Sequence, residues 1–300
     1  MTSDRNRALA QRIRNKDFIA APGVFELISA KIADTMGFDA LYMTGFGVVA
    51  SYLGLPDAGL ATYTEMVGAV ERIARQTKTP LICDGDTGYG GLLNVEHTVR
   101  GYERAGAAAI QLEDQVFPKK CGATPGRRVV PLAEAVAKIR VALDSRDSED
   151  FLIVARTDAR TNYGLDEALR RGEAFAKAGA DMLFIEAPES AEEMEKIART
   201  FDTPLLANMG DGMKYGGLTK DDLQKMGYTV AIYPGVGMLA AGHALRDVYQ
   251  TIRRDGSPAK ATSPRYDFKE FCLLMGFQHV WDFEKKWAGA EDEDIDRAAQ

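Results

Sequence analysis

Histidine, cysteine and tryptophan are scarce in this chain of 300 residues, which has 3 His, 3 Cys and 2 Trp. Cys83, Cys121 and Cys272 lie far apart and form no CxxC pair, which excludes a disulfide framework. His97, His243 and His279 have no ligand spacing with those cysteines, so zinc is not expected. Long apolar runs are missing too. The longest mostly apolar stretch, 230–242, falls short of the ~20 residues that span a bilayer. Residues 1–17 are charged and lack the apolar segment of ~7–15 residues of a secretory signal. These absences predict a cytoplasmic protein with no membrane partner. Positive charge is in deficit: 37 Lys and Arg against 44 Asp and Glu leave −7, which repels a phosphate backbone and argues against nucleic acid. What is present is ordinary for a globular enzyme, 46% hydrophobic and 27% charged residues, and a disordered chain is excluded.

The chain alternates. Eight short apolar runs, 18–21, 40–43, 81–84, 108–112, 152–156, 182–186, 204–207 and 229–233, predict strands. Between them lie segments of helical spacing: 63–76, with Met66, Val67, Val70 and Ile73 on one face, then 94–105, 131–143, 165–178 and 190–200. Strands that are apolar nearly throughout suit a parallel sheet covered on both faces. Eight of them predict a (β/α)8 barrel, with a doubly wound open sheet as the rival. Two segments break the alternation. Residues 114–130 form a long loop, and such loops are commonly functional. Residues 266–287 predict an apolar tail helix that needs a partner surface. The expected organisation is a barrel over 1–255, with 114–130 as a gating loop, and a helical extension over 256–300.

Chemistry in such a barrel sits at the C-terminal ends of the strands. Here those ends carry Tyr42 to Gly45, Asp84 to Gly88, Glu113-Asp114, Arg156 to Asp158, Glu186, Asn208 and Tyr233-Pro234. Carboxylates without histidine make a hard-cation pattern, because Mg²⁺ prefers oxygen ligands and keeps several waters. Asp84, Asp86, Glu113 and Glu186 are the candidate group. Arg156 suits either an ion pair with a neighbour or a bidentate grip on a substrate carboxylate. Cation and arginine together point to a small anionic substrate.

Glu113-Asp114-Gln115 followed by Lys119-Lys120-Cys121-Gly122 resembles the isocitrate lyase/phosphoenolpyruvate mutase superfamily. So do Thr44-Gly45, Gly54-Leu55-Pro56-Asp57, Asp84-Gly85-Asp86-Thr87-Gly88-Tyr89-Gly90, Ala155-Arg156-Thr157-Asp158 and Leu206-Ala207-Asn208-Met209. The resemblance spans roughly residues 8 to 285. It implies a (β/α)8 barrel, a homotetramer with exchanged C-terminal helices, and Mg²⁺ (Mn²⁺ substituting) acting on a 2-hydroxy or 2-oxo acid. By matching positions, Asp84 would ligate the metal, with Asp57, Asp86 and Glu113 acting mainly through water. Tyr42, Thr44, Gly45, Arg156, Glu186 and Asn208 would surround the substrate, with Thr44-Gly45 and Arg156 gripping its carboxylate. In the family's lyases the loop carries Lys-Lys-Cys-Gly-His; here Ala123 stands at the histidine.

The expected reaction is cleavage of the C2–C3 bond of a 2,3-dimethylmalate or 2-methylisocitrate type of acid, with Cys121 as general acid. A thiol with an ordinary pKa of ~8.5 is protonated at neutral pH and can donate. Lys119 and Lys120, close by in sequence, would lower that pKa, and the hydroxyl base is either Tyr42 or a carboxylate-held water. The alternatives are a phosphonate enzyme (carboxyphosphonoenolpyruvate or phosphoenolpyruvate mutase, or phosphonopyruvate hydrolase), an oxaloacetate hydrolase or decarboxylase, and a barrel that binds an acid without turnover. Leu206, Tyr233, Pro234 and Thr124 are the candidates for setting the size of the substrate side chain.

Overall fold

The structure is a computed structural model that describes residues 3–122, 124, 126–210, 212, 214–215 and 217–298. Its strands are β1 (Ile19–Val24), β2 (Leu41–Met43), β3 (Leu81–Asp84), β4 (Ala109–Glu113), β5 (Leu152–Thr157), β6 (Met182–Ile185), β7 (Leu205–Asn208) and β8 (Val230–Tyr233). All pair in parallel in chain order, and β8 closes on β1 through Ile19↔Val230 and its neighbours. The (β/α)8 barrel is therefore confirmed and the open sheet excluded.

Strand alternation sorts the side chains into two layers. Leu41, Met43, Leu81, Cys83, Ile110 and Ile153 pack outward against the helices. Tyr42, Ile82, Ala109, Leu152, Val154, Met182, Phe184, Leu206, Val230 and Ile232 form the interior layer. The helix Asp4–Arg14, which sequence reading did not anticipate, adds Leu9, Ala10 and Ile13 to that interior layer. Its charged face hid its short apolar stripe from any search for apolar runs.

Helices Tyr63–Gln76 and Leu165–Ala178 have the expected bounds. Thr62 and Glu65 cap the first reciprocally, and Met66, Val70 and Ile73 are buried along its inner face. Ser190 caps Ala191–Thr200 by accepting from the Glu193 N–H. Helix Leu92–Arg104 begins two residues earlier than expected, and Leu132–Ser145 follows Pro131. Strand β6 stops at Ile185, just before Glu186.

Residues 241–300 form a second compact unit. The expected single tail helix is two, Phe268–Leu274 and Phe277–Ala298. Between them Gly276 has φ +94°, a left-handed conformation that ends a helix. Among the described residues no helix is long and apolar enough to cross a membrane.

Candidate active site

The alternation that buries Ile82 points Asp84 to the same interior side, and the same step carries Val154 to Arg156 and Leu206 to Asn208. Register then sets neighbours: Asp84 pairs with Gln111, Glu113 with Arg156, and Arg156 with Phe184. These strand ends floor a cavity of about 220 Å³. Tyr42, Thr44, Asp57, Asp84, Glu113, Cys121, Arg156 and Asn208 line it, so eight of the residues singled out from sequence meet at one place.

The remaining three stand directly behind the lining. Gly45 packs against Asp84: a Cβ there would come within 2.6 Å of Asp84 Oδ2, so any larger residue would displace that carboxylate. The Asp86 N–H donates to Asp84 Oδ1 at 3.0 Å. Glu186 is fully buried, accepts from Asn208 Nδ2 at 3.3 Å and lies 3.8 Å from Arg156.

Arg156 has a defined orientation. Its Nε and Nη2 each donate to Asp158 at 2.9 Å, and its guanidinium lies 5.1 Å above the Phe184 ring. Glu113 stands at 3.4 Å from Nε. The ion-pair reading of this residue thus holds: Asp158 takes the Nε–Nη2 edge, and Nη1 has no hydrogen bond among the described residues. Asp158 itself is shared with Arg127 at 2.8 Å. Burial alone would raise its pKa, but Arg156 and Arg127 outweigh this and hold its carboxyl below the usual range.

The described residues of the loop 114–130 are tied by local bonds. Gln115 Nε2 donates to the Lys120 carbonyl at 2.8 Å while the Lys120 N–H donates to Gln115 Oε1 at 3.0 Å. Gln115 also bridges Val129. Lys119, expected beside Cys121 as a tuning charge, instead contacts Asp57 at 2.5 Å and Asp86 at 2.7 Å. Burial opposes its charge, yet the carboxylates of Asp86, Glu113, Asp84 and Asp57 hold the ammonium well above its usual pKa. The Cys121 N–H donates to the Asp57 carbonyl at 3.1 Å, which fixes the thiol-bearing residue at the mouth. Next to it Gly122 runs so close to Arg156 that a Cβ would stand 2.5 Å from Nη2. Ala123 lies outside the described residues.

Tyr42 donates to Gln111 Oε1 at 3.1 Å, and Gln111 Nε2 reaches Asp84 Oδ1 at 3.5 Å. Burial, and then the Asp84 charge, push the phenol well above its usual pKa. In the structure its hydroxyl acts as a hydrogen-bond donor to Gln111. Gln111, fully buried, was missed from sequence because a lone glutamine inside a strand carries no signal of its own.

The carboxylate group suits a hard cation. Burial pushes Glu113 well above its usual pKa and Asp86 up to about 6, against the pull of Arg156 and Lys119 respectively. Glu113 Oε1 is buried with no hydrogen-bond partner among the described residues. Lys119 and Arg156 together do not balance Asp57, Asp84, Asp86 and Glu113, and Arg156 is shared with Asp158 besides. No three of these side chains form a ready cage among the described residues. Mg²⁺ does not need one, since one or two carboxylates and bound waters suffice. Asp84, Asp57 and Glu113 line the cavity where such an ion could be held, and Asp86 stands behind them.

A closed parallel barrel with a charged cavity at the C-terminal strand ends is the architecture of a barrel enzyme. The family described as phosphoenolpyruvate phosphomutase matches residues 9–253. The chain belongs to the phosphoenolpyruvate mutase/isocitrate lyase superfamily. It is 45% identical to 2,3-dimethylmalate lyase of Eubacterium barkeri over 280 residues, 93% of this chain and 97% of the relative. It is 40% identical to 2-methylisocitrate lyase of Aeropyrum pernix, over 97% of this chain and 91% of the relative. Among solved structures, phosphonopyruvate hydrolase in complex with oxalate and Mg²⁺ superposes with a TM-score of 0.85 at 31% identity, over 96% of this chain and all of the other.

Proposed function

We propose that the protein is a Mg²⁺-dependent carbon–carbon lyase. It cleaves the C2–C3 bond of a small 2-hydroxy acid with two or three carboxylates, of the 2,3-dimethylmalate or 2-methylisocitrate type, to a 2-oxo acid and a carboxylic acid. One observation carries this reading: Cys121 lines the same cavity as Asp84, Glu113 and Arg156. A thiol has no part in metal binding by an all-oxygen group, whereas a carbanion left by C–C cleavage requires a proton. The likeness to two named lyases supports it.

When bound, Mg²⁺ supplies Lewis acidity to the C1 carboxylate and 2-hydroxyl of the substrate. Mn²⁺ substitutes for it. Arg156, held by Asp158 and Phe184, orients a substrate carboxylate through its Nη1 end, beside Thr44 and Gly45. Tyr42, held protonated, donates a hydrogen bond and keeps Gln111 and Asp84 in register. The 2-hydroxyl proton passes to the carboxylate group around Asp84 or to a water it holds. The C2–C3 electron pair goes to C3 as the C2=O bond forms, and the Cys121 thiol delivers its proton to C3. Glu186 supports Arg156 from behind, and Asn208, hydrogen-bonded to Glu186, faces the substrate from the cavity wall.

The assembly in this reading is a cytoplasmic homotetramer of barrels, residues 1–255, that exchange their extensions, residues 256–300. Phe268, Phe283 and Trp287 are exposed, which supports a covering neighbour.

The test is a panel of 2-alkylmalates, 2-methylisocitrate, oxaloacetate and phosphonopyruvate with Mg²⁺, followed by 2-oxo acid and phosphate assays. Release of 2-oxo acid from a hydroxy acid is expected. Phosphate from phosphonopyruvate with no hydroxy acid turned over would replace the lyase by a phosphonate enzyme.

A further inference from the structure

The cavity has two characters. Its floor is charged, made by Asp84, Glu113 and Arg156, while Phe46, Pro234, Met238 and Leu239 give it an apolar side. Of the four candidates read from sequence for side-chain size, only Pro234 lines it. Met238 and Leu239 stand in the first turn of the helix that follows β8, Val236–Asp255, where helical spacing gave no hint of the cavity. Among the described residues the only cations lining the cavity are Lys119 and Arg156. Lys119 is committed to Asp57 and Asp86, and Arg156 keeps only its Nη1 end. The undescribed residues between 123 and 216 are Ala123, Pro125, Asp211, Met213 and Gly216, and none is a cation.

A carboxylate brought against an apolar surface without a cation or hydrogen-bond donor carries a large desolvation cost, whereas an alkyl branch gains there. We propose that Phe46, Pro234, Met238 and Leu239 select 2-hydroxy di-acids bearing small alkyl branches and turn away tri-acids, whose third carboxylate would face this side. This names the substrate class of the lyase reading and rests on it for turnover, but not for binding. A missing methyl in an apolar pocket is worth roughly 10-fold or more in discrimination.

The experiment therefore reads binding and turnover separately. Calorimetry with Mg²⁺ present compares succinate, 2,3-dimethylsuccinate and the tri-acid tricarballylate. Turnover compares malate, 2,3-dimethylmalate and 2-methylisocitrate. The expected results are tighter binding of dimethylsuccinate than of either other acid, and a kcat/KM for dimethylmalate at least 10-fold above that for malate and methylisocitrate. In Met238→Lys the preference should move toward the tri-acids in both assays, with the melting temperature showing an intact fold. Equal binding of the three acids, or methylisocitrate turned over as well as dimethylmalate, overturns the proposal. Tighter binding of dimethylsuccinate with no hydroxy acid cleaved would uphold the apolar selection and sink the lyase reading instead.

Discussion

Arg156 and Asp158, two residues apart at the end of one strand, face each other through paired hydrogen bonds of 2.9 Å. A charged fork of this kind fixes both the direction and the plane of the guanidinium. Asp158→Asn keeps the shape but loses one acceptor and the charge. A misplacement of about 1 Å at a reacting group can cost on the order of 100-fold. We expect kcat/KM to fall by about that much, with most of the loss in KM, because in the proposed reading Arg156 orients the ground-state carboxylate as well as the transition state. Steady-state release of 2-oxo acid checks this. A variant within twofold of wild type would show that Asp158 serves the fold alone.

Cys121→Ala removes the proposed proton donor and leaves the carboxylates and Arg156 in place. A general acid is worth about 10²–10⁴-fold, so kcat should drop by that range. Mg²⁺-dependent binding of a di-acid, read by calorimetry, should stay within a fewfold. Retained kcat would remove the thiol from the mechanism. Lost binding with lost kcat would make Cys121 a structural part of the loop.

Chelation should abolish activity, and Mg²⁺ should restore it, with Mn²⁺ as a substitute. Two variants localise the ion without relying on turnover. Asp84→Ala removes the proposed direct ligand. Gly45→Ala places a Cβ where only 2.6 Å separates it from Asp84 Oδ2, so Asp84 must move. Both should weaken Mg²⁺ binding in calorimetry by at least about tenfold. Unchanged affinity in Asp84→Ala would refute the assignment.

Away from the site, Asp34 accepts from the Lys78 and Thr79 N–H groups at 2.9 and 2.8 Å and from the Thr79 hydroxyl at 2.7 Å. Burial pulls its pKa up, but these hydrogen bonds outweigh it and hold the carboxyl below its usual value. A depressed folded pKa gives stability that is present above the unfolded value of about 3.9 and lost as pH falls through the folded value. Asp34→Ala should cost about 1 kcal/mol at pH 7, a modest figure because the group is only half-buried. The gap should shrink below about pH 4. Denaturant melts of both proteins at pH 7 and pH 3 test this, and a gap that widens in acid would contradict it.

Much of the site was legible because strand ends are easy to recognise and alternation is strict. An apolar run that closes on Asp84, Glu113 or Arg156 announces a charged group at the rim of a barrel. Adjacent residues were harder. Glu113 lines the cavity, while its neighbour Asp114 takes hydrogen bonds from Thr157 at 2.7 Å and the Asp158 N–H at 2.9 Å and pairs with Arg171 at 3.0 Å. Successive strand residues face opposite sides, so one carboxylate faces the cavity and the other ties the scaffold.

By itself the sequence determined the eight strands, most of the helices between them, and which polar residues stand at the strand ends, since these follow from local periodicity. The tertiary structure alone decided the partners. Closing the barrel placed Lys119 on Asp57 and Asp86, left Arg156 only its Nη1 end, and made Tyr42 a donor held to Gln111. It also brought Phe46, Met238 and Leu239, remote in the chain, to one side of the cavity. Periodicity specifies which face a side chain takes on its own element. Which charge or apolar surface it meets there depends on contacts such as Lys119 with Asp57 and Tyr42 with Gln111, between residues far apart in the chain, and only the folded chain brings those together.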